Sequence, residues 1–336
     1  MQTFIIMFLL AFSVAALGTP GVRQLALWLG FVDAPNGRKL HKDPIPLLGG
    51  VAIFGGTAVA LLFTNGRLPH TVTGVAVAGS VIIITGLVDD RFGVPAWGKL
   101  LAQAVATAVL VRYQMFVRLP LPLFVNYAIT FFWLAGISNA INFLDNMDGL
   151  SAGISAVAAA FILLLGLQND QILVSAVAAG VLGGCLGFLR YNFHPARIFM
   201  GDAGSLTLGF VLSLLGLQLR FPGNVNFVTW MVPVFILGLP IFDTTLVVIS
   251  RLRRGVSPNT PGKDHVSHRL VRLGFSQRET VLILYLVAGV FGMMGVYVTE
   301  ATAVEGYTLG GAAALIGLYF IYYFEKYAPY PVDRKP

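Results

Sequence analysis

The chain has 336 residues, 57% hydrophobic and 11% charged, with 22 Lys and Arg against 15 Asp and Glu for a net charge of +7. A soluble domain carries roughly 25% charged residues, so this composition, with a mean hydropathy of +0.80, excludes one and predicts an integral membrane protein. The basic residues are dispersed over loops, which argues against nucleic acid as a partner, and the single cysteine, Cys185, excludes an internal disulfide and reads as packing in an apolar run.

Met1–Gly18 lacks a positive stretch ahead of its apolar core and reads as a first membrane helix rather than a signal peptide. Apolar runs of spanning length, about 17–25 residues with their flanks, recur eleven times. Their cores are Thr3–Leu17, Leu47–Phe63, Val72–Val88, Leu100–Val111, Leu121–Ile141, Ser151–Leu167, Ile172–Leu189, Leu206–Leu219, Val228–Ile249, Val281–Val298 and Leu309–Phe324. The fourth and eighth are the shortest. The expected fold class is therefore all-α, a polytopic membrane protein of eleven spans, and the 38 glycines suit close helix contact in lipid. With no internal repeat and no shift of composition, residues 1–336 read as a single membrane-embedded domain.

Loop charge sets the expected orientation. With the N-terminus outside, eighteen of the 22 basic residues fall on inner segments, and only Arg67, Arg112, Arg118 and Arg220 lie outside. By the positive-inside rule the N-terminus is out and the C-terminus in the cytoplasm. The acids divide the same way, with only Asp170, Glu300 and Glu305 outside. Chemistry is expected at the cytoplasmic face.

Five inner segments carry that chemistry. Asp33–Gly50 packs Arg38, Lys39, His41 and Lys42 before a Pro- and Gly-rich stretch. It suits phosphate binding through charge-assisted hydrogen bonds and equally a basic anchor at anionic lipid. Asp89 and Asp90 end the third run, with Lys99 and Gln103 on one face of the fourth. Adjacent acids repel and call for a cation, so metal-linked phosphate binding and proton abstraction stand against a solvated helix end.

Asn139–Gly153 sets Asp145, Asp148 and three amides between two apolar runs. Ionisable groups at a membrane boundary normally mark a site, although a polar turn is the plainer reading. In Asn192–Ser205, Asp202 lies between Gly201 and Gly204 just before a helix, as a helix N-cap or as part of a site. Phe199 there stacks on a base or anchors at the interface. The longest inner loop, from Arg251 to Arg278, holds three arginines at its start, then Lys263, Asp264, His265, His268 and Arg269. Two His spaced by three can ligate zinc; with no Cys or third His beside them, contact with phosphate is preferred. Asp243, inside the ninth run, would be costly unpaired and is expected to face the polar site. Several acids imply a hard cation such as Mg²⁺ held partly by substrate phosphates, and the setting implies phosphoryl transfer to a lipid.

In order, the motifs are Asp33-Ala-Pro with Arg-Lys-Leu-His and Pro-Leu-Leu-Gly-Gly50, Asp89-Asp90, Asn139-Ala-Ile-Asn-Phe-Leu-Asp-Asn-Met-Asp-Gly-Leu150, Phe199-Met-Gly-Asp-Ala-Gly-Ser-Leu206 and the His265–His268 loop. From about Asp33 to Leu273 the chain resembles the polyprenyl-phosphate N-acetylhexosamine-1-phosphate transferases, glycosyltransferase family 4. The resemblance implies transfer of a sugar-1-phosphate from a UDP-sugar to polyprenyl phosphate, with release of UMP and a need for Mg²⁺ or Mn²⁺. It implies Asp202 as the metal-binding acid and Asp89 and Asp90 near the lipid phosphate, one of them as base. Asn142, Asp145, Asp148 and Phe199 match the uridine side, His265 and His268 the sugar-diphosphate loop, and Lys42 and Lys99 are further phosphate candidates. It also implies the plasma membrane, with membrane lipid and a homodimer among the expected partners.

Two departures matter. The family usually reads Asp-Gly-x-Asp-Gly where this chain has Asp145-Asn-Met-Asp-Gly149, and His-x-His-His where it has His265-Val-Ser-His268. The second argues against phospho-N-acetylmuramoyl-pentapeptide transferase, the alternative within the family, and favours the bacterial undecaprenyl-phosphate N-acetylglucosaminyl-1-phosphate transferase branch. A secondary transporter is the alternative of another class. Its acids would lie near the bilayer midplane between inverted repeats, whereas these gather at one boundary.

Overall fold

A computed structural model describes residues 1–33, 44–62, 71–224 and 226–330. They form two compact units, Met1–Arg220 and Phe221–Pro336. The first holds α1 (Gln2–Leu29), β1 (Val32–Asp33), β2 (Ile45–Pro46), α2 (Gly49–Leu62), α3 (Thr71–Phe92), α4 (Ala96–Arg112), α5 (Leu123–Leu144), α6 (Leu150–Gln168), α7 (Ile172–Asn192) and α8 (Gly201–Gln218). The second holds α9 (Asn226–Thr229), α10 (Met231–Ile236), α11 (Gly238–Arg253), α12 (Val266–Arg272), α13 (Gln277–Val298) and α14 (Ala303–Tyr327).

In the first unit α8 is the core. From Ala203 to Gly216 every residue is buried, as expected of a helix apolar on all sides. α3 and α5 pack on it, while α1, α2 and α7 pack on one another. α3 reaches α8 through Gly86, where an added Cβ would collide with the backbone of Ala203. Small residues permit this approach between apolar helices in lipid, where packing rather than water exclusion holds them together. The antiparallel pair β1–β2 matches Val32 with Pro46 and Asp33 with Ile45.

Each of the eleven apolar runs contributes helix, but length and composition alone do not qualify all eleven as spans. Among the described residues seven helices are long and apolar enough to cross a membrane, or eight if one bent pair counts as a span. The shortfall lies in α2 with 14 residues, α4 with 17 and α8 with 18 and an acid in its first turn. The run Val228–Ile249, expected as one helix, instead breaks by 75° between Phe227–Ile236 and Gly238–Arg253. Pro233, Gly238 and Pro240 surround the break, and proline there cannot donate the helical hydrogen bond.

In the second unit α10, α11 and α12 pack on α13. Ser276 with Glu279, and Thr302 with Glu305, form capping boxes that start α13 and α14.

Candidate active site

The first unit gathers its polar side chains where α3 ends and α8 begins. The leading N–H groups of a helix lack intrahelical acceptors and carry partial positive charge. At α8 the N-cap is Met200, which supplies no side-chain acceptor. Asp90 supplies it from α3: its Oδ1 accepts the Asp202 N–H at 2.7 Å and its Oδ2 the Ala203 N–H at 3.1 Å. Gly201, at φ +72°, leaves the room, since a Cβ there would lie 2.5 Å from Asp90 Oδ2. The N-cap reading of Asp202 is thereby corrected, because Asp202 sits inside the first turn.

The Asp202 side chain turns toward α4 and α5. Its Oδ1 accepts from Asn142 Nδ2 at 3.0 Å, and its Oδ2 accepts from Lys99 Nζ. Asn142 Nδ2 also reaches Ser205 Oγ at 2.9 Å. Lys99 Nζ lies 2.6 Å from Asp89 Oδ2 as well, so one ammonium bridges two carboxylates. Asp89 Oδ1 in turn accepts the Val94 N–H. One turn along α4, buried Gln103 accepts from Asn139 Nδ2 at 3.1 Å. Four helices thus hold carboxylate, ammonium and amide groups together.

The turn between α5 and α6 closes one side. Burial, then the charges of Asp202, Asp90 and Asp148, push the Asp145 carboxyl up to about 8. Asp148 Oδ2 accepts the Ala196 N–H at 3.0 Å and pairs with His194 Nδ1 at 2.8 Å. The Gly149 N–H donates to Asn192 Oδ1 at 3.1 Å, and Asn192 Nδ2 to the Ile198 carbonyl at 3.0 Å. This laces the turn to the segment leading into α8. Phe199 is set by backbone: its N–H donates to Pro46 O at 2.8 Å, and its carbonyl accepts the Gly49 N–H at 2.9 Å. The Pro-Leu-Leu-Gly-Gly stretch is therefore a splint for Phe199–Asp202.

The second unit carries the loop histidines. Asp243 is fully buried; its Oδ2 pairs with His265 Nδ1 at 2.7 Å and its Oδ1 accepts the Val266 N–H at 2.7 Å. The expected partner of Asp243 is thus His265, which precedes α12. The His268 ring centroid lies 6.2 Å from that of His265. Burial, then the charges of His265, Lys263 and Arg272, lower the His268 imidazole to about 4, so it is neutral at pH 7. Asp264 is held down by Arg251 against the opposing effect of its own burial.

Of the residues singled out in the sequence, the structure joins Asp89, Asp90, Lys99, Asn142 and Asp202 by direct contacts. It sets Asp145 within their field, Asp148 on the adjoining turn, and Phe199 three residues before Asp202. His265 and His268 belong to the second unit, and Lys42 lies outside the described residues, as do Arg38, Lys39 and His41. Among the described residues no three His, Cys, Asp or Glu side chains form a group able to hold a metal ion by themselves. Sequence reading missed His194, Asn192 and the bridging of α3 to α8 by Asp90. His194 was visible only as a polar residue beside Pro195, and Asn192 only as the residue that opens that segment.

Residues 72–220 match glycosyl transferase family 4. A protein of Bacillus subtilis (strain 168), named probable undecaprenyl-phosphate N-acetylglucosaminyl 1-phosphate transferase, is 35% identical over 311 residues, covering 90% of this chain and 87% of the relative. The undecaprenyl-phosphate alpha-N-acetylglucosaminyl 1-phosphate transferase of Yersinia pestis is 30% identical, over 95% of this chain and 88% of its own length. The decaprenyl-phosphate N-acetylglucosaminephosphotransferase of Mycolicibacterium smegmatis (strain ATCC 700084 / mc(2)155) is 34% identical, over 81% and 76%.

Proposed function

This chain belongs to glycosyl transferase family 4, and from that premise we propose that it transfers N-acetylglucosamine-1-phosphate from UDP-N-acetylglucosamine to undecaprenyl or another polyprenyl phosphate. A lipid phosphate oxygen forms a bond to the phosphorus that bears the sugar. The bond from that phosphorus to the bridging oxygen breaks, and UMP leaves with that oxygen. The products are a polyprenyl-diphosphate sugar and UMP, the start of a cell-envelope glycan. The relatives' names support this donor group and acceptor.

The observation that carries the reading is the ammonium of Lys99 bridging Asp89 and Asp202 at the start of α8. Phosphoryl transfer asks mainly for positioning and charge stabilisation. Lys99 offers the charge for the lipid phosphate, and, with Asp90 occupied in capping α8, Asp89 is the candidate base. Asn142 orients Asp202. Asp145, Asp148 and Phe199 form the uridine side, and a neutral His268 donates an N–H to the sugar diphosphate.

The residues fit a divalent cation. Asp145 is crowded by three other carboxylates, a field that Mg²⁺ or Mn²⁺ held by Asp202 would relieve. Mg²⁺ commonly takes one or two carboxylates and completes its shell with phosphates and water. When bound, it neutralises charge on the transferring phosphate.

Basic-residue distribution supports eleven crossings of the plasma membrane, N-terminus out, with the acid site facing the cytoplasm. The test is to incubate purified protein with polyprenyl phosphate, Mg²⁺ and a panel of UDP-sugars and to measure UMP. Release with UDP-N-acetylglucosamine is expected. Release with the muramoyl-pentapeptide donor alone would overturn the choice of sugar, and no release with any donor would overturn the reaction.

A further inference from the structure

Arg269 has no exposed surface and directly follows His268 on α12. Its Nε donates to the Asp264 carbonyl at 2.9 Å, and its Nη2 to Ser250 Oγ at 2.9 Å and to Glu325 Oε1 at 2.7 Å. The Asp264 carboxylate is committed elsewhere, to Arg251 at 2.9 and 2.7 Å and to Arg254. Glu325, near the end of α14, is therefore the carboxylate paired with Arg269, and Arg253 approaches its other oxygen at 3.8 Å. The chain beyond it grips the same region. Arg272 Nη2 donates to the Ala328 carbonyl at 3.3 Å, and the Arg254 guanidinium stands 4.3 Å from the Tyr330 ring.

A buried ion pair is a weak source of stability, since apolar residues of equal volume often do as well, whereas its geometry is specific. This one ties a helix remote in sequence to the short helix that carries His268. We infer that Glu325 is a positioning residue for the donor: through Arg269 it fixes α12, and with it His268, for contact with the sugar diphosphate. The inference rests on the donor role given to His268 above.

The test uses full-length Glu325→Ala, Glu325→Gln and His268→Ala beside wild type in one detergent. Hydrogen exchange is followed at residues 264–272 and across α13, and KM is measured for UDP-N-acetylglucosamine and for polyprenyl phosphate. Glu325→Ala should speed exchange at 264–272, but not in α13, by at least about tenfold, as expected when a local unit is loosened. It should raise donor KM by about tenfold with kcat and acceptor KM within about twofold, the signature of lost donor binding. Glu325→Gln keeps a neutral acceptor for Arg269 and should fall between Ala and wild type; it carries the same readings if Glu325→Ala does not fold. Unchanged exchange, or equal loss in α13, overturns the inference. So does an unchanged donor KM in Glu325→Ala while His268→Ala raises it. If His268→Ala leaves donor KM unchanged, the donor role of His268 fails and the inference falls with it. That failure is recognisable because the local exchange change would persist.

Discussion

Asp90 accepts two backbone N–H groups at the start of α8, so Asp90→Asn would turn an amide NH₂ toward one of those donors and remove a charge from the helix terminus. Each loss is worth about 1–3 kcal/mol when a buried donor goes unpaired, and a clear fall in melting temperature is expected. Asp89 instead accepts a single backbone N–H, from Val94, which an Asn carbonyl oxygen can keep, and turns its other oxygen to Lys99. Asp89→Asn should melt near wild type while UMP release falls at least about 100-fold, the lower range for general acid–base catalysis. Equal melting temperatures for the two variants would refute this division of roles. Asp202→Asn keeps one carbonyl oxygen and should likewise fold, with UMP release almost abolished; wild-type rate and Mg²⁺ dependence would remove its metal role. For His268, the folded imidazole titrates at about 4 against about 6.5 unfolded. The unfolded chain therefore takes up a proton first, and stability falls as pH drops from about 6.5 through 4. Melting between pH 7 and 5 should decline less in His268→Gln than in wild type. Gln also keeps an N–H donor, so donor KM should stay near wild type at pH 7 while His268→Ala raises it.

At the scale of the element, the acid site depends on how near α3 lies to α8. Gly86 meets the Ala203 backbone, whereas Gly79, two turns earlier on α3, has nothing within 4 Å of a built Cβ. Gly86→Ala should therefore separate the helices, displace Asp89 and Asp90 from Asp202, and abolish turnover with a lowered melting temperature. Gly79→Ala should leave both unchanged. Measuring UMP release and thermal unfolding for the pair decides it, and an active Gly86→Ala would show that the approach is not required. Elements were legible in the sequence where the signal was local. Long apolar runs gave the helices, and the polar segments at their ends supplied Asp89, Lys99, Asn142 and Asp202 one by one. The capping boxes of α13 and α14 follow an equally local Ser/Thr-x-x-Glu spacing. What escaped was non-local. Asp90 caps a helix 112 residues away, and Glu325 finds Arg269 across 56; no spacing rule reaches that far. The break in the ninth run was visible in Pro233, Gly238 and Pro240, but its apolar character outweighed them.

At the scale of the whole molecule, charge distribution and helix length give different topologies. Eighteen of 22 basic residues share one side if the chain crosses eleven times, whereas among the described residues seven helices, or eight with the bent pair, are long and apolar enough on their own. The difference lies in α2, α4, α8 and the bent pair, and three single cysteines resolve it. Cys185 is fully buried, so the native thiol should stay silent toward an impermeant maleimide. Ala96, Pro120 and Asn259 are exposed; they open α4, follow α4, and follow α11. With eleven crossings and the N-terminus outside, Ala96→Cys and Asn259→Cys label only from the cytoplasm and Pro120→Cys only from outside. With eight crossings, omitting α2, α4 and α8, all three label from the same side. With seven, omitting the bent pair as well, Ala96→Cys and Pro120→Cys agree and Asn259→Cys is opposite. The positive-inside rule predicts the first pattern. It is also the pattern in which the end of α3, with Asp89 and Asp90, faces the compartment that supplies nucleotide sugars. Labelling of Ala96→Cys from outside would contradict a cytoplasmic acid site whatever the number of crossings.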